Sequence, residues 1–381
     1  VGVSVKECQL LMSHSCGALE KFKFAERWHC ANRDRGVGED SAEVGDSGEG
    51  VEQLLDMVDL RMVSTADLLA LVKPSMLISP ERLNLLYERR LRSMEWARQK
   101  FEHIKSIGKL GHGEREFNRP VGVALTDSGK VVVTDQENCR IQILGLNDSS
   151  IFRFGSRGDG FGRFLNPVAV SVDREGLYVC DHDRHEVQVF RQDGTFIRVF
   201  GGEGSEKGRL MNPRDSAISR DGNLVVCDKG NNRMQIFKPD GTPLFSFGGT
   251  GEFEGQFKDP CGVAVSPSSN IVVADSGNAR IQVFDRDGGF LHSFGNRGEG
   301  PGQFQSPDGI AVSDHGDIVV SDWRLHRISI FRDDGEFVQA FGKEGSGDGE
   351  FKGPAGVTVS RSGSVVVADQ LHHRVHVWGR L

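Results

Sequence analysis

Aspartate followed five residues later by arginine is the most regular arrangement of charged residues in this chain. The pair occurs five times, as Asp135/Arg140, Asp228/Arg233, Asp275/Arg280, Asp322/Arg327 and Asp369/Arg374. A sixth aspartate, Asp181, has Glu186 at the arginine position. A carboxylate and a guanidinium form strong, directional hydrogen bonds, so such a pair could hold a charged ligand or fix a turn. Because a substrate site would break a repeated pattern and not recur in it, we interpret these pairs as structural.

Histidines are the second group that could do chemistry, since imidazole nitrogens are common zinc ligands. His182, His326, His372 and His373 follow three of the aspartates. A zinc site needs three or four ligands that converge at about 2.0–2.1 Å, and these histidines have no dedicated spacing motif. The sequence also contains no P-loop, G-x-S-x-G or H-E-x-x-H motif. We therefore expect no metal, no cofactor and no catalytic function, with a zinc-dependent lyase as a remote alternative.

The elements that position these residues recur along the chain. Six prolines lie 46 or 47 residues apart, at Pro120, Pro167, Pro213, Pro260, Pro307 and Pro354. Each repeat has four short segments typical of β-strands, which in the fourth repeat are 262–265, 271–275, 280–284 and 290–295. Glycine-rich turns separate them. Four strands in a repeat of this length predict a propeller blade, and six prolines predict six blades.

The ends of the repeat region predict how the ring closes. The last repeat ends with its third strand, at residues 374–378, and has no fourth. Residues 102–108, before the first repeat, resemble an isolated fourth strand. We predict that this strand completes the last blade, because pairing between the two ends removes an open sheet edge.

The repeat has the pattern P-x-G-V-A-V, then I-V-V-A-D-x-x-N-x-R-I-Q-V-F, and ends in F-G. It closely resembles the NHL repeat over residues 104–381. The resemblance implies a mainly β protein, a six-bladed NHL propeller over residues 102–381. In the TRIM-NHL proteins of that family, the propeller accompanies ubiquitin-ligase modules and binds proteins or RNA.

The first hundred residues predict a different organisation. We expect a partial helical segment at 1–30, a disordered linker rich in glycine and acidic residues at 31–50, and a helical region at 51–101. Apolar residues from Leu83 to Ile104, including Phe101, keep helical spacing. Residues 50–90 resemble the C-terminal half of a BACK domain, which implies a substrate adaptor for a cullin ubiquitin ligase. A generic helical stalk is the alternative.

Composition narrows the class of partner and the compartment. The net charge of −8 argues against a general nucleic-acid binder, although a local basic patch is compatible with it. Seven cysteines without a C-x-x-C pair favour a reducing compartment, so we expect a cytoplasmic protein. We find no signal peptide and no apolar run long enough to cross a membrane.

A ligand site is expected where the repeats differ. Alternating strand directions place the turns after the repeat aspartates and the glycine-rich loops between blades on one face, which we call the glycine-loop face. Ten residues on this face depart from the repeat: His182, Arg184, His185, Arg214, Lys229, Trp323, Arg324, His326, His372 and His373. A tryptophan beside arginine and histidine can anchor a peptide or stack on a base.

We therefore predict a protein-interaction module that recognises a protein substrate or peptide for a ubiquitin-ligase system, with ligase subunits as further partners. The alternative is a TRIM-NHL-like regulator that binds single-stranded or hairpin RNA. Acidic residues such as Glu203, Glu254 and Glu344 lie among the basic ones on the glycine-loop face. A basic sector on two or three blades is therefore expected at most, because phosphate contacts require clustered lysine and arginine.

Overall fold

The described part of the chain forms six four-stranded antiparallel sheets. The computed structural model describes residues 100–146 and 151–380. The innermost strand of each sheet packs against the innermost strands of both neighbouring sheets, and the last packs against the first. This closed ring confirms the predicted six-bladed β-propeller.

Each blade begins at a repeat proline with its inner strand. The inner strands are Pro120–Leu125 (β2), Pro167–Val172 (β6), Pro213–Ile218 (β10), Pro260–Val265 (β14), Pro307–Val312 (β18) and Pro354–Val359 (β22). The second strands, each ending at the repeat aspartate, are Val131–Asp135 (β3), Leu177–Asp181 (β7), Leu224–Asp228 (β11), Ile271–Asp275 (β15), Ile318–Asp322 (β19) and Val365–Asp369 (β23). Blades 1 to 6 are numbered in this order.

The two remaining strands complete each blade toward the outside. The third strands are Arg140–Leu144 (β4), Glu186–Phe190 (β8), Arg233–Phe237 (β12), Arg280–Phe284 (β16), Arg327–Phe331 (β20) and Arg374–Arg380 (β24). The outer strands of blades 1 to 5 are Ile151–Phe154 (β5), Phe196–Gly201 (β9), Pro243–Gly248 (β13), Phe290–Phe294 (β17) and Phe337–Phe341 (β21). Single 3₁₀ turns follow three aspartates, at Lys229–Asn231, Ser276–Asn278 and Gln370–His372.

The outer strand of blade 6 is β1, Phe101–Ile107, which comes from the N-terminal side of the repeats. It pairs antiparallel with β24, from Phe101 opposite Arg380 to Ile107 opposite Val375. The predicted closure is therefore confirmed, and the strand begins and ends one residue earlier than predicted.

Phe101 and Ile104 belong to β1, so the prediction that they continue a helix is wrong. The strand pairing buries Phe101, which stacks on Phe341 with ring centroids 5.0 Å apart, and leaves Ile104 exposed. The predicted segments 1–30 and 31–50, and residues 51–99 of the BACK-like region, lie outside the described residues. Within the described ranges, no helix is long and apolar enough to cross a membrane.

An aromatic pair fills the core of most blades. One ring comes from the glycine-rich loop and the other from the end of the third strand, as in Phe164 with Phe190 and Phe304 with Phe331, whose centroids are 5.6 and 5.4 Å apart. Glycine must end the outer strand before such a loop: Gly295 has φ +82°, and a Cβ there would lie 2.4 Å from the Phe304 ring. The loops are thereby fixed against the blades, which gives the glycine-loop face a defined shape.

Candidate functional site

The repeated Asp–Arg pairs tie the turn of a blade to the glycine-rich loop that precedes it. The arginine Nε lies 2.6 to 2.8 Å from the aspartate Oδ2 in three blades, in the pairs Asp135/Arg140, Asp228/Arg233 and Asp275/Arg280. The Arg140 guanidinium also donates to the carbonyls of His112, Gly113 and Glu116. The aspartates are fully buried. These contacts consume the hydrogen-bonding capacity of both partners, as a structural tie does.

Two pairs depart from this geometry. In blade 6, Arg374 Nε lies 3.5 Å from Asp369 Oδ2, because His372 and His376 also approach this carboxylate oxygen, at 2.7 and 3.2 Å. In blade 5, no ion pair joins Asp322 and Arg327, so that predicted pair needs correction. Asp322 instead accepts four backbone N–H bonds, from Gln305, Ser306, Arg324 and Leu325. Arg327 donates only to loop carbonyls.

In blade 2, different residues form the ion pair that joins the turn to the preceding glycine-rich loop. Arg184 Nε lies 2.6 Å from Glu186 Oε1, and its Nη1 donates to the Gly158 carbonyl at 3.0 Å. Both side chains are mostly buried. Arg184 was predicted to lie on the ligand-binding face as a variable cation, but it supplies the guanidinium that the repeat loses at Glu186. Burial raises the pKa of Glu186, and the hydrogen bond from Arg184 opposes this.

Three of the predicted ligand histidines connect neighbouring blades. His185, His326 and His373 have φ between +51° and +56°, and their Nδ1 atoms accept hydrogen bonds from the N–H groups of Asn212, Gly353 and Arg119. Each donor directly precedes the proline of the next blade. Asn232 makes the same bond to the N–H of Asp259 through its side-chain oxygen. The position therefore requires an unprotonated acceptor, which explains why histidine and asparagine alternate there.

Blades 1 and 4 have no such acceptor, since Cys139 and Ala279 occupy this position. The N–H groups of Asn166 and Ser306, which precede the next prolines, turn to Asp181 and Asp322 of their own blade. Because Ala279 of blade 4 offers no acceptor, the Ser306 N–H donates to Asp322, and this carboxylate accepts backbone N–H groups in place of the Arg327 guanidinium.

The two remaining histidines are also engaged. His372 Nδ1 contacts Asp369, and His182 Nδ1 lies 2.6 Å from Asp183 Oδ1. In the described part of the chain, no group of three or more His, Cys, Asp or Glu side chains is arranged to hold a metal ion. The zinc-lyase alternative therefore has no cluster of ligands among these histidines.

Arg214 lies at the axis of the ring. Its Nη2 donates to both carboxylate oxygens of Asp308, at 3.0 and 2.8 Å. The two residues directly follow the prolines of blades 3 and 5, so the ion pair spans the glycine-loop end of the central channel. Arg214 was predicted as a free ligand cation, and the structure instead gives it a carboxylate partner.

Trp323, Arg324 and Lys229 remain available on the glycine-loop face. The Trp323 indole is half-buried: its N–H donates to Gln370 Oε1 at 3.0 Å, and its ring lies so close over Gly353 that a Cβ there would be 2.6 Å from Nε1. Arg324 is exposed and Lys229 is partly exposed. Neither cation forms an ion pair with another described residue. A fixed indole next to an exposed guanidinium is a typical arrangement for an anchoring contact.

Comparison with protein families locates this propeller among known ones. Residues 116–342 match the SMP-30/Gluconolactonase/LRE-like region, and residues 351–378 match the NHL repeat. The first match covers more than half of the chain. The chain belongs to the SMP-30/gluconolactonase/LRE-like family. The NHL resemblance is supported for the last repeat.

Solved structures show the same fold at low sequence identity. A streptogramin B lyase is 13% identical, with a TM-score of 0.52 over 75% of this chain and 99% of its own. A virginiamycin B lyase from Staphylococcus aureus is 11% identical, with a TM-score of 0.51 over 74% of this chain and 99% of its own. A gluconolactonase from Xanthomonas campestris is 17% identical, with a TM-score of 0.55 over 74% of this chain and 99% of its own. At these identities the similarity concerns the fold alone.

One curated relative shares a short stretch of sequence. Protein brain tumor from Drosophila melanogaster is 35% identical over 77 residues, which is 20% of this chain. The matched stretch is 7% of that protein's length. The two family matches, at residues 116–342 and 351–378, do not include the BACK-like segment.

Sequence reasoning missed two channel residues of this SMP-30/gluconolactonase/LRE-like propeller. Neither Asp308 nor Asp215 was predicted as a site residue. The signal was present, because Arg214 and Asp308 are the charged residues at a position where other blades have Val121, Val168, Cys261 and Ala355. Opposite charges at one repeat position that converges on the axis predict an ion pair.

Proposed function

We propose that this propeller is a non-enzymatic recognition module that binds an extended peptide segment of a protein partner on its glycine-loop face, centred on Trp323 and Arg324. The observation that carries the proposal is the contrast between these two residues and the other candidates. His185, His326, His373 and Arg184 are bound within the fold. Arg324 breaks the repeat and is exposed, and Trp323, although its indole N–H is held by Gln370, remains partly exposed beside it.

The surroundings of Trp323 suit a peptide. Leu325 and Leu371 are partly exposed in the turns of blades 5 and 6, and Lys352 is exposed beside them in the loop before blade 6. The Gln370 oxygen that receives the indole N–H fixes the ring at low entropic cost to binding. An aromatic anchor with apolar neighbours and one mobile cation favours a peptide that carries an apolar residue near an acidic one.

The link to ubiquitin ligases rests on the resemblance of residues 50–90 to a BACK domain. In this proposal the N-terminal region engages ligase subunits, such as a cullin, and the propeller selects the substrate in the cytoplasm. The four described cysteines, which are buried and free, agree with a reducing compartment. Co-precipitation of a cullin by the full chain, and its loss on deletion of residues 51–90, would support this link.

Peptide display on the full chain, followed by affinity measurement on selected peptides, tests the recognition site. We expect Trp323→Ala to weaken binding about 30-fold, the usual effect of removing an aromatic anchor. Arg324→Glu should weaken acidic peptides in particular. Arg286→Glu, at an exposed arginine on the opposite face, is the matched control and should change nothing. Unchanged affinity in the Trp323→Ala variant would refute the proposed site.

RNA binding remains a second candidate because of exposed aromatic and basic residues in the loops at 155–166 and 201–212, before blades 2 and 3. Phe161 is 73% exposed and stacks on Phe196, and four basic residues in the same two loops are exposed: Arg157, Arg163, Lys207 and Arg209. The acidic residues Asp159, Glu203 and Glu206 lie among them.

Fluorescence anisotropy with single-stranded and hairpin RNA, at 50 and 200 mM salt, separates the two candidates. An RNA binder should lose affinity steeply with salt, according to the number of phosphates contacted, and should lose it in Arg163→Glu. Peptide binding centred on Trp323 should be insensitive to the same substitution.

A further inference from the structure

The central channel is a cavity of about 270 Å³ that runs between the six inner strands. Toward the opposite face its wall includes aliphatic side chains. These are the last residues of the inner strands, each partly exposed: Leu125, Val172, Ile218, Val265, Val312 and Val359. The opposite face is the one that carries the turns between first and second strands.

The channel narrows toward the glycine-loop face. The third residue of four inner strands is glycine, because the neighbouring strand leaves no room for a side chain. A Cβ at Gly309 would lie 2.3 Å from the Ala355 carbonyl oxygen, and one at Gly356 would lie 2.4 Å from that of Val121. The Arg214–Asp308 ion pair lies just beyond this constriction.

Entry is therefore from the opposite face. There the aliphatic ring continues into a surface depression of about 340 Å³, which shares Ile218, Val265 and Val312 with the channel. Arg220 and Asp314, in the turns of blades 3 and 5, line the depression. A ligand would pass a polar rim and then an apolar wall before it reached the constriction.

Charge is unbalanced at the inner end of the channel. Asp215 occupies the position that is glycine in four other blades. Its two carboxylate oxygens accept hydrogen bonds from the N–H groups of Val263 and Ser216, at 2.9 and 2.8 Å. The only arginine in the channel wall, Arg214, donates both of its ion-pair contacts to Asp308. Two carboxylates thus face one guanidinium in the channel.

The burial of the Asp215 carboxylate without a cation of its own changes its pKa. Burial raises the pKa of Asp215 to about 7, although the two N–H bonds and Arg214 favour the charged form. An ionised carboxylate without a cation of its own is costly away from bulk water. A cation that entered the channel would lower this cost.

We infer that the channel binds a small organic cation, an aliphatic amine in its ammonium form, which enters from the opposite face and places its charged head against Asp215. The aliphatic ring supplies the contact for the hydrocarbon body, and the cavity volume limits the ligand to a small molecule. This site is independent of peptide binding at Trp323, because the constriction and the Arg214–Asp308 pair separate it from the glycine-loop face.

Calorimetric titration of the full chain at pH 8 with n-hexylammonium tests the inference. Hexanoate, which has the same chain length and the opposite charge, is the matched probe. We expect hexylammonium to bind at least about tenfold more tightly than hexanoate, since only the cation gains a charge-assisted bond to Asp215. Asp215→Asn should reduce hexylammonium affinity by a similar factor.

Two further variants keep the test decisive. Asp215→Gly introduces the residue that blades 1, 4, 5 and 6 have at this position, and it replaces Asp215→Asn if that variant does not fold. Asp287→Asn removes an exposed carboxylate from the outer turn of blade 4, on the same face but outside the channel and the depression, and should leave hexylammonium binding unchanged. Equal binding of hexanoate, full affinity after loss of the Asp215 carboxylate, or loss of binding in Asp287→Asn would each overturn the inference.

Discussion

Blades 2 and 5 depart from the repeat at the same joint, and they resolve the departure differently. In both, the repeat aspartate accepts N–H bonds from the two residues before the proline. Blade 2 then forms a new ion pair, Arg184 with Glu186. Blade 5 keeps Arg327, which has no carboxylate partner of its own, and presents Trp323 and Arg324 on the surface.

The difference shows that a break in a repeat has functional meaning only when no neighbouring residue compensates for it. Arg184 is a variable cation in the sequence, yet its contacts are those of the repeat arginine. Arg324 is equally variable and has no such contacts. Substitutions that separate structural from free residues test this distinction.

The largest loss of stability is expected when the repeat arginine is removed from a blade with an intact Asp–Arg pair, and a smaller loss is expected in blade 5. Arg233→Ala leaves the fully buried Asp228 without its cation and should cost about 4 kcal/mol of unfolding free energy. Arg327→Ala removes only bonds to backbone carbonyls and should cost about 1.5 kcal/mol. Urea unfolding of both variants measures the difference. Equal losses would show that Asp322 and Arg327 are coupled after all.

Blade 2 provides the second test. Arg184→Ala leaves Glu186 mostly buried and unpaired, and should cost about 3 kcal/mol in unfolding free energy. The double variant Arg184→Ala/Glu186→Gln removes the unpaired charge and should recover part of that loss. A double variant that is no more stable than the single one would contradict the view that Arg184 compensates for Glu186.

Blade 6 extends the comparison to pH, because His376 stands where four other blades have glutamine. His376 is fully buried; its Nε2 lies 3.2 Å from Asp369, and its Nδ1 lies 3.1 Å from both Ser106 and His103 of the closing strand. Burial lowers the pKa of His376, with smaller contributions from Arg374 and His103, and Asp369 opposes them.

A lowered pKa means that the unfolded chain binds the proton more readily than the folded one. The contribution of His376 to the unfolding free energy is therefore fully present above the unfolded-state pKa of about 6.5, and it is lost as the pH falls below that value. His373 and His292 have lowered pKa values and act in the same direction. Asp215, whose pKa is raised to about 7, acts in the opposite direction in both proteins, so His376→Gln should shift the change in unfolding free energy between pH 7.5 and 5.5 toward greater stability at pH 5.5. Urea unfolding at both pH values would disprove this if the two proteins showed the same slope.

The smallest effect on stability is expected at the free residue of blade 5. Arg324→Ala should change the unfolding free energy by less than about 0.5 kcal/mol, as exposed substitutions usually do. Thermal unfolding checks this, with Arg184→Ala as the contrasting variant. A loss as large as that of Arg184→Ala would give Arg324 a structural task and remove it from the recognition site.

The fold was predictable from the sequence because its causes are local and repeated. Six prolines at a constant spacing specified six blades, and the missing strand after β24 specified a partner near residue 102. Phe101 was assigned incorrectly because apolar spacing alone does not distinguish the end of a helix from a strand whose pairing partner lies almost 280 residues away.

The site was less predictable because it depends on which side chains meet across blades. The Nδ1 atoms of His185, His326 and His373 bond to a neighbouring blade only because their backbones have positive φ. A strand pattern does not reveal that geometry. Arg214 and Asp308 are 94 residues apart and meet only at the ring axis. Trp323, by contrast, could be singled out from the sequence because it differs from the residues at the same position of the other repeats, and its part in binding stays a prediction.

Closure by β1 has a consequence for synthesis of the protein in the cell. His103 emerges first and its partner His376 emerges 273 residues later. At ribosomal rates of about 5–20 residues per second, β1 waits roughly 15 to 50 s for β24. Throughout that interval the nascent chain exposes Phe101 and an unpaired strand edge, so blade 6 is the part of the propeller most dependent on chaperones.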